Sequence, residues 1–229
     1  MKMRNLLLLG AFLTVSGGMM AQTSLTAKNA KVVPGYTSQG DAIISFVVPA
    51  TIGGWQMELS LPEGLSLVEK SASVTVNGSS ADATSFDGVT PSALHKSHQI
   101  IGGTKANGNV VLICFPTTTD GALTATSGEL CTIKVKATEA YTGTNQVKVE
   151  SFLAADPQGS TTQYTAESIN FNVVALKGDV TSDGIVNGGD IQGVINTIVA
   201  GTGDSKYDTT GDGNVNGGDI QQIINEIVL

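Results

Sequence analysis

Between residues 23 and 176 apolar and polar positions alternate in short runs, broken by turns rich in Gly, Ser, Asn and Asp. Trp55, Met57, Leu59 and Leu61 take turns with Gln56, Glu58 and Ser60, the pattern of a strand with one buried face. Comparable runs predict strands at 42–48, 73–77, 98–102, 110–115, 130–135, 146–150 and 168–174. About nine strands without a helical period of any length predict a mainly β domain, a β-sandwich or jelly roll. It is long enough to bury its own core. Past residue 176 the period changes. Ile191, Val194, Ile195, Ile198 and Val199 fall at i, i+3, i+4, i+7 and i+8, as do Ile220, Ile223, Ile224, Ile227 and Val228. Each set predicts a short helix with one apolar stripe, and Asp190 and Asp219 are expected as its N-cap.

The twelve residues leading into each helix are near copies, offset by 29 positions (208 − 179). The first copy runs 179–190 and the second 208–219. Oxygen donors at positions 1, 3, 5, 7, 9 and 12, with Gly at position 6, form the calcium-loop pattern of an EF-hand. Asp179, Asp183 and Asp190 supply carboxylates at positions 1, 5 and 12, and Asp208, Asp212 and Asp219 repeat them. Ile185 and Asn214 offer backbone carbonyls at position 7; Asn187 and Asn216 sit at position 9. Gly184 and Gly213 permit the bend. Two departures stand out: Thr181 and Thr210 at position 3 are neutral, and Asp at position 12 is shorter than the usual Glu. Both point to modest affinity. Three carboxylates crowded into one turn repel by roughly 1 kcal/mol per pair even in water, so each loop calls for a counter-ion.

Loop then helix, twice, without an entering helix, resembles the type I dockerin of bacterial cellulosome-like assemblies over residues 177–229. The resemblance implies two Ca²⁺ ions, antiparallel helices with pseudo-twofold symmetry, and a cohesin as protein partner. It places the partner-binding surface at Gly188, Gly189, Gln192, Gly193 and Asn196, duplicated at Gly217, Gly218, Gln221, Gln222 and Asn225. Gly-Gly stands where Ser/Thr is usual. Residues 54–65 and 128–137 are similar to strands of cohesin modules, an architecture shared with several carbohydrate-binding modules. The chain thus divides into 1–21, 22–176 and 177–229. The resemblance implies a secreted, non-catalytic adaptor within a polysaccharide-degrading complex. The alternative is a module binding carbohydrate or another surface ligand, tethered by its dockerin.

Composition narrows the partners. Lys2 and Arg4 precede an apolar run at 6–13 and small residues lead to Ala21, the pattern of a secretory signal peptide. Secretion or display at the cell surface is therefore expected, without insertion into a membrane. Arg4 is the chain's one Arg and the formal net charge is −8, which disfavours nucleic acid. Residues 178–229 carry eight acids against Lys206, hence −7, while 22–177 carry twelve against nine Lys, hence −3. The acidity is concentrated at the loops. Cys114 and Cys131 lie in runs expected to be adjacent strands, so they form either a disulfide or two small buried hydrophobes. Trp55 alternates with core positions rather than offering a sugar platform, leaving Tyr36, Tyr141 and Tyr164 as weak candidates. His95 and His98 read as solvated loop side chains. Glu58, Glu63 and Glu69 give no sign of a catalytic pair, so no catalytic residue is assigned.

Overall fold

The computed structural model describes residues 23–36, 42–76, 78–118, 121–143, 145–158 and 163–228. The leader expected at 1–21 and Asn77, the end of a predicted strand, lie outside them. One sheet orders Ser24–Ala27, Ala42–Val47, Ser127–Ile133 and Val89–Pro91. The other orders Ala30–Val32, Ile169–Ala175, Gln146–Ala155, Gly54–Ser60, Val110–Pro116 and His98–Thr104, with Gln163–Ala166 beside Gln146–Ala155. Alternation builds the core between them: Ile44, Phe46, Met57, Leu59, Leu112 and Ile133 are all buried, while Gln56, Glu58 and Ser60 face outward. The described pairings are antiparallel except one. Ala30–Val32 runs parallel to residues 173–175, which sets the end of the last strand beside an early segment of the chain.

Fifteen strands are described, against about nine expected. The chief omission is Ser79–Phe86, which forms a hairpin with Glu69–Val76 across Gly78 at φ +81°. Most of this ribbon is exposed on both faces, so it carries little of the alternation that marks a half-buried strand.

Trp55 is buried, as its position in the pattern implies, but so is His95, and His98 is half-buried rather than a solvated loop residue. The Trp55 indole N–H donates to His95 Nε2 at 3.0 Å. With Nε2 accepting, the proton sits on Nδ1, which faces Ser92 Oγ at 3.2 Å. His98 Nε2 donates to the Gly53 carbonyl at 2.9 Å. Burial, and then the neighbouring His98, push His95 down to about 4. A proton on Nε2 would confront the indole N–H.

The cysteine strands are not neighbours. Val110–Pro116 pairs with Gly54–Ser60 and His98–Thr104, whereas Ser127–Ile133 pairs with Ala42–Val47 and Val89–Pro91. Both thiols are free and buried. Of the two sequence readings, the small buried hydrophobe holds and the bridge does not, because apolar runs identify strands without naming their partners. Burial pushes Cys131 up to about 12, and raises Cys114 as well, with Cys131 adding to the effect.

Two outcomes follow from these buried groups. A water-soluble disulfide reagent should leave both native thiols untouched and titrate them only after denaturation; reaction in the folded state would contradict their burial. His95 takes up its proton near 6.5 when unfolded and near 4 when folded. Its contribution is present above pH 6.5 and lost as pH falls towards 4, about 3 kcal/mol for a shift from 6.5 to about 4. Denaturant midpoints should trace that loss, and His95→Gln should flatten the curve over this window.

Candidate functional site

The site is built from two turns whose peptide N–H groups point inward. At position 4 of the first loop Ser182 has φ +61°, and at position 6 Gly184 has φ +85°; the second loop has Gly211 at +74° and Gly213 at +85°. These left-handed residues curl the chain so that the first aspartate receives the N–H groups that follow it. Asp179 Oδ1 accepts from Asp183 N at 3.1 Å and Oδ2 from Gly184 N at 2.9 Å. Asp208 accepts likewise from Gly211 N, Asp212 N and Gly213 N at 2.8, 3.2 and 2.8 Å. The position-5 carboxylates turn to position 7, with Asp183 and Asp212 accepting from Ile185 N and Asn214 N at 2.9 and 2.8 Å.

The last aspartate of each loop is wholly buried. Asp190 Oδ1 accepts from the amide and hydroxyl of Thr181 at 3.0 and 2.9 Å, and Oδ2 from Asn187 N at 2.9 Å. Asp219 repeats this with Thr210 at 3.0 and 3.1 Å and Asn216 N at 2.8 Å. Burial raises the Asp219 carboxyl, but the amides of Asn216 and Thr210 and the Thr210 hydroxyl outweigh it, holding the group below the usual range. Thr181 and Thr210 therefore compensate in hydrogen bonding for the charge they lack.

The helices begin earlier than their apolar stripes suggest. α1 is Gly188–Ala200 and α2 is Gly217–Val228. The N-cap of α1 is Asn187, whose side chain accepts from Gly189 N at 2.6 Å, while Asp190 is the third helical residue and completes a capping box. Asn216 does the same for Gly218 N at 2.7 Å. Asn187 and Asn216, assigned to the loops by spacing, thus spend their side-chain oxygens on helix starts. Asp190 and Asp219 are not the caps.

Among the described residues no three acidic, His or Cys side chains are gathered as a ligand cluster; the carboxylates rest on the turn's own N–H groups. The donor chemistry nonetheless fits a hard divalent cation. Each turn offers three carboxylates, a hydroxyl and carbonyls, with no nitrogen or sulfur ligand among its assigned positions.

Helix packing divides the expected stripes. Val194 and Ile223 are buried, joining Val180 and Val186 in a small cluster that Val33 and Leu176 of the sandwich complete. Ile195, Ile198 and Val199 are 37, 39 and 82% exposed, and Ile224, Ile227 and Val228 are 37, 42 and 75% exposed. The cluster is too thin to cover two rows, so one row per helix faces out. Beside it lie Gln192 and Asn196, linked at 2.9 Å, and Gln221 and Asn225, linked at 3.0 Å. Gly188, Gly189, Gly217 and Gly218 are exposed. Two expected face residues are placed differently. A Cβ on Gly193 would stand 3.1 Å from the Tyr207 ring, and half-buried Gln222 donates to Glu226 at 2.8 Å.

Elsewhere, Glu58 receives Lys105 Nζ and Asn109 Nδ2, each at 2.7 Å, which hold it below the usual range. Glu69 accepts from Thr104 N at 2.9 Å. Glu58 thus lacks the raised affinity for a proton that a general acid needs. The Tyr141 hydroxyl is spent on the Val173 carbonyl at 2.8 Å. Tyr164 lines an open depression of about 550 Å³ with Thr51, Asp156 and Gln158. Tyr36 stands against the first acidic loop.

Residues 177–228 match the family described as dockerin type I domain. No curated protein matches the chain. Among solved structures, the chain is similar to a non-cellulosomal cohesin of Archaeoglobus fulgidus at 13% identity and TM-score 0.44, over 68% of this chain and 93% of that one. A cohesin module from a family 33 glycoside hydrolase of Clostridium perfringens gives 12% and 0.47, over 67% and 98%. A type I cohesin–dockerin complex of Clostridium thermocellum gives 12% and 0.47, over 67% and 100%. The segment that matches the type I dockerin family, 177–228, is the one that holds the paired loop–helix repeats.

Proposed function

We propose that this chain is an exported, non-catalytic assembly protein whose tail binds two Ca²⁺ ions and docks onto a cohesin partner within a polysaccharide-degrading complex. The observation that carries the reading is the duplication itself. Acidic turn, capped helix and outward apolar row recur at the same 29-residue offset (224 − 195). A structural role alone would require the inward rows but not two matching outward ones. An exposed aliphatic row flanked by amide side chains suits a protein partner, whose apolar surface would cover the isoleucines while the Gln–Asn pairs lie at the rim.

Calcium makes that surface rigid. Without an ion, each loop holds three anionic groups together by N–H and Thr hydroxyl dipoles alone. An ion bound at a hundred times its dissociation constant adds about 2.7 kcal/mol per site, a large share of what so small a unit can hold.

Removal of Ca²⁺ with EDTA should therefore lower the helical circular dichroism signal and the melting temperature of the tail, leaving the sandwich folded. Asp183→Ala combined with Asp212→Ala should reproduce this; a helix signal indifferent to both would sink the calcium reading. In calcium, Ile195→Asp or Ile224→Asp alone should weaken capture by a cognate cohesin about twofold, because one row remains. The double variant should lose more than about a hundredfold, the effect of a buried charge at an interface centre. Calorimetry on the intact chain separates these outcomes, and full binding by the double variant would exclude the helix faces.

A further inference from the structure

The two loops share a sequence pattern but not their surroundings. Val33, Pro34, Gly35 and Tyr36 form a turn in which Tyr36 N–H donates to the Val33 carbonyl at 3.0 Å and Gly35 has φ +88°. Pro at the second position and a left-handed Gly at the third are the signature of a type II turn. Gly35 N–H ties the turn to the sandwich through the Ala137 carbonyl at 2.9 Å. From this platform the Tyr36 hydroxyl donates to the Ser182 carbonyl at 2.7 Å. Its ring covers Gly184 so closely that a Cβ there would lie 2.8 Å from Cδ1.

Position 4 of the loop shows what this contact offsets. Ser182 is the one described non-glycine residue with positive φ; its counterpart 29 positions on is Gly211, which adopts the same region without steric cost. Around Gly211 and Gly213 nothing stands where a Cβ would meet it. The first loop is thus strained and braced, the second unstrained and open.

We infer that Tyr36 is a positioning residue for the first calcium loop. It holds the turn at 182–184 in ion-receiving shape from the sandwich, so the first loop binds its ion more tightly than the second. This inference rests on the calcium reading above. Its physical basis is preorganisation: a loop already held in shape loses less freedom when the ion arrives.

The test uses the full chain and calorimetric Ca²⁺ titration, with each loop read separately. In an Asp212→Ala background, where the first loop is read, Tyr36→Phe should weaken binding about fivefold, the effect of one lost hydrogen bond. In an Asp183→Ala background, where the second loop is read, Tyr36→Phe should change nothing. Ser182→Gly removes the strain, so Tyr36→Phe added to it should cost less than about twofold. A metal-free measurement runs alongside. Amide hydrogen exchange at 182–184 should quicken in Tyr36→Phe while 211–213 stays unchanged. Equal effects on both loops, or none on either measurement, would overturn the brace and leave the calcium reading standing. Absence of any Ca²⁺ heat from the parent chain would overturn both the calcium reading and the affinity difference.

Discussion

Each half of the tail depends on one buried carboxylate doing two jobs. Asp190 closes its loop through Oδ1 and receives the N-cap amide of its helix through Oδ2, and Asp219 does the same. A carboxylate removed from water is costly unless hydrogen bonds replace its hydration, so the loop must close and the helix must start together. This also gives a reason for Asp where an EF-hand has Glu. The short side chain is already engaged by the Thr181 and Asn187 amides inside the turn, in the manner of a capping box with Asn and Asp in place of Ser and Glu.

How much of this was legible depends on how local the physics is. The acidic loops were readable because a turn's geometry is set by residues within a dozen positions of one another. The helix starts were misplaced by three residues because an apolar stripe reports only where packing begins, whereas Asn187 caps a turn of two exposed glycines ahead of it. The stripes themselves overstated burial. A period of 3.6 identifies a face but not the width of what covers it, and a cluster of Val180, Val186, Val194 and Ile223 covers one row. In the sandwich, alternation located Trp55, Met57 and Leu59 correctly. It could not announce that His95 would be drawn inside by an indole N–H, nor that the Cys114 and Cys131 strands belong to different pairings.

Three residues, 176–178, separate the last strand from the first loop, and so short a junction has a structural reason. Leu176 extends the last strand, its N–H donating to the Val32 carbonyl at 2.7 Å, and its side chain enters the tail's cluster beside Val33. The tail borrows apolar surface that a segment of its length could not otherwise bury. A flexible linker would forfeit that burial. The cost of the arrangement is symmetry: the two repeats are near copies in sequence, but only one abuts the turn at 33–36.

That asymmetry stops at the loops. Tyr36 touches 182 and 184, whereas Ile195, Ile198 and Val199 remain as open as Ile224, Ile227 and Val228. Two equivalent faces, only one of which a docked partner covers in the proposed mode, leave the other exposed in the complex. Such a face must be apolar enough to bind yet too small to self-associate. Each row is only three aliphatic residues long, and its isoleucines are only 37–42% exposed, so each patch is small. The excess of seven negative charges over 178–229 (eight acids against one Lys), still three with the two proposed Ca²⁺ ions bound (−7 + 4), opposes contact between like tails. The acidity required by the loops thereby also protects the unused face.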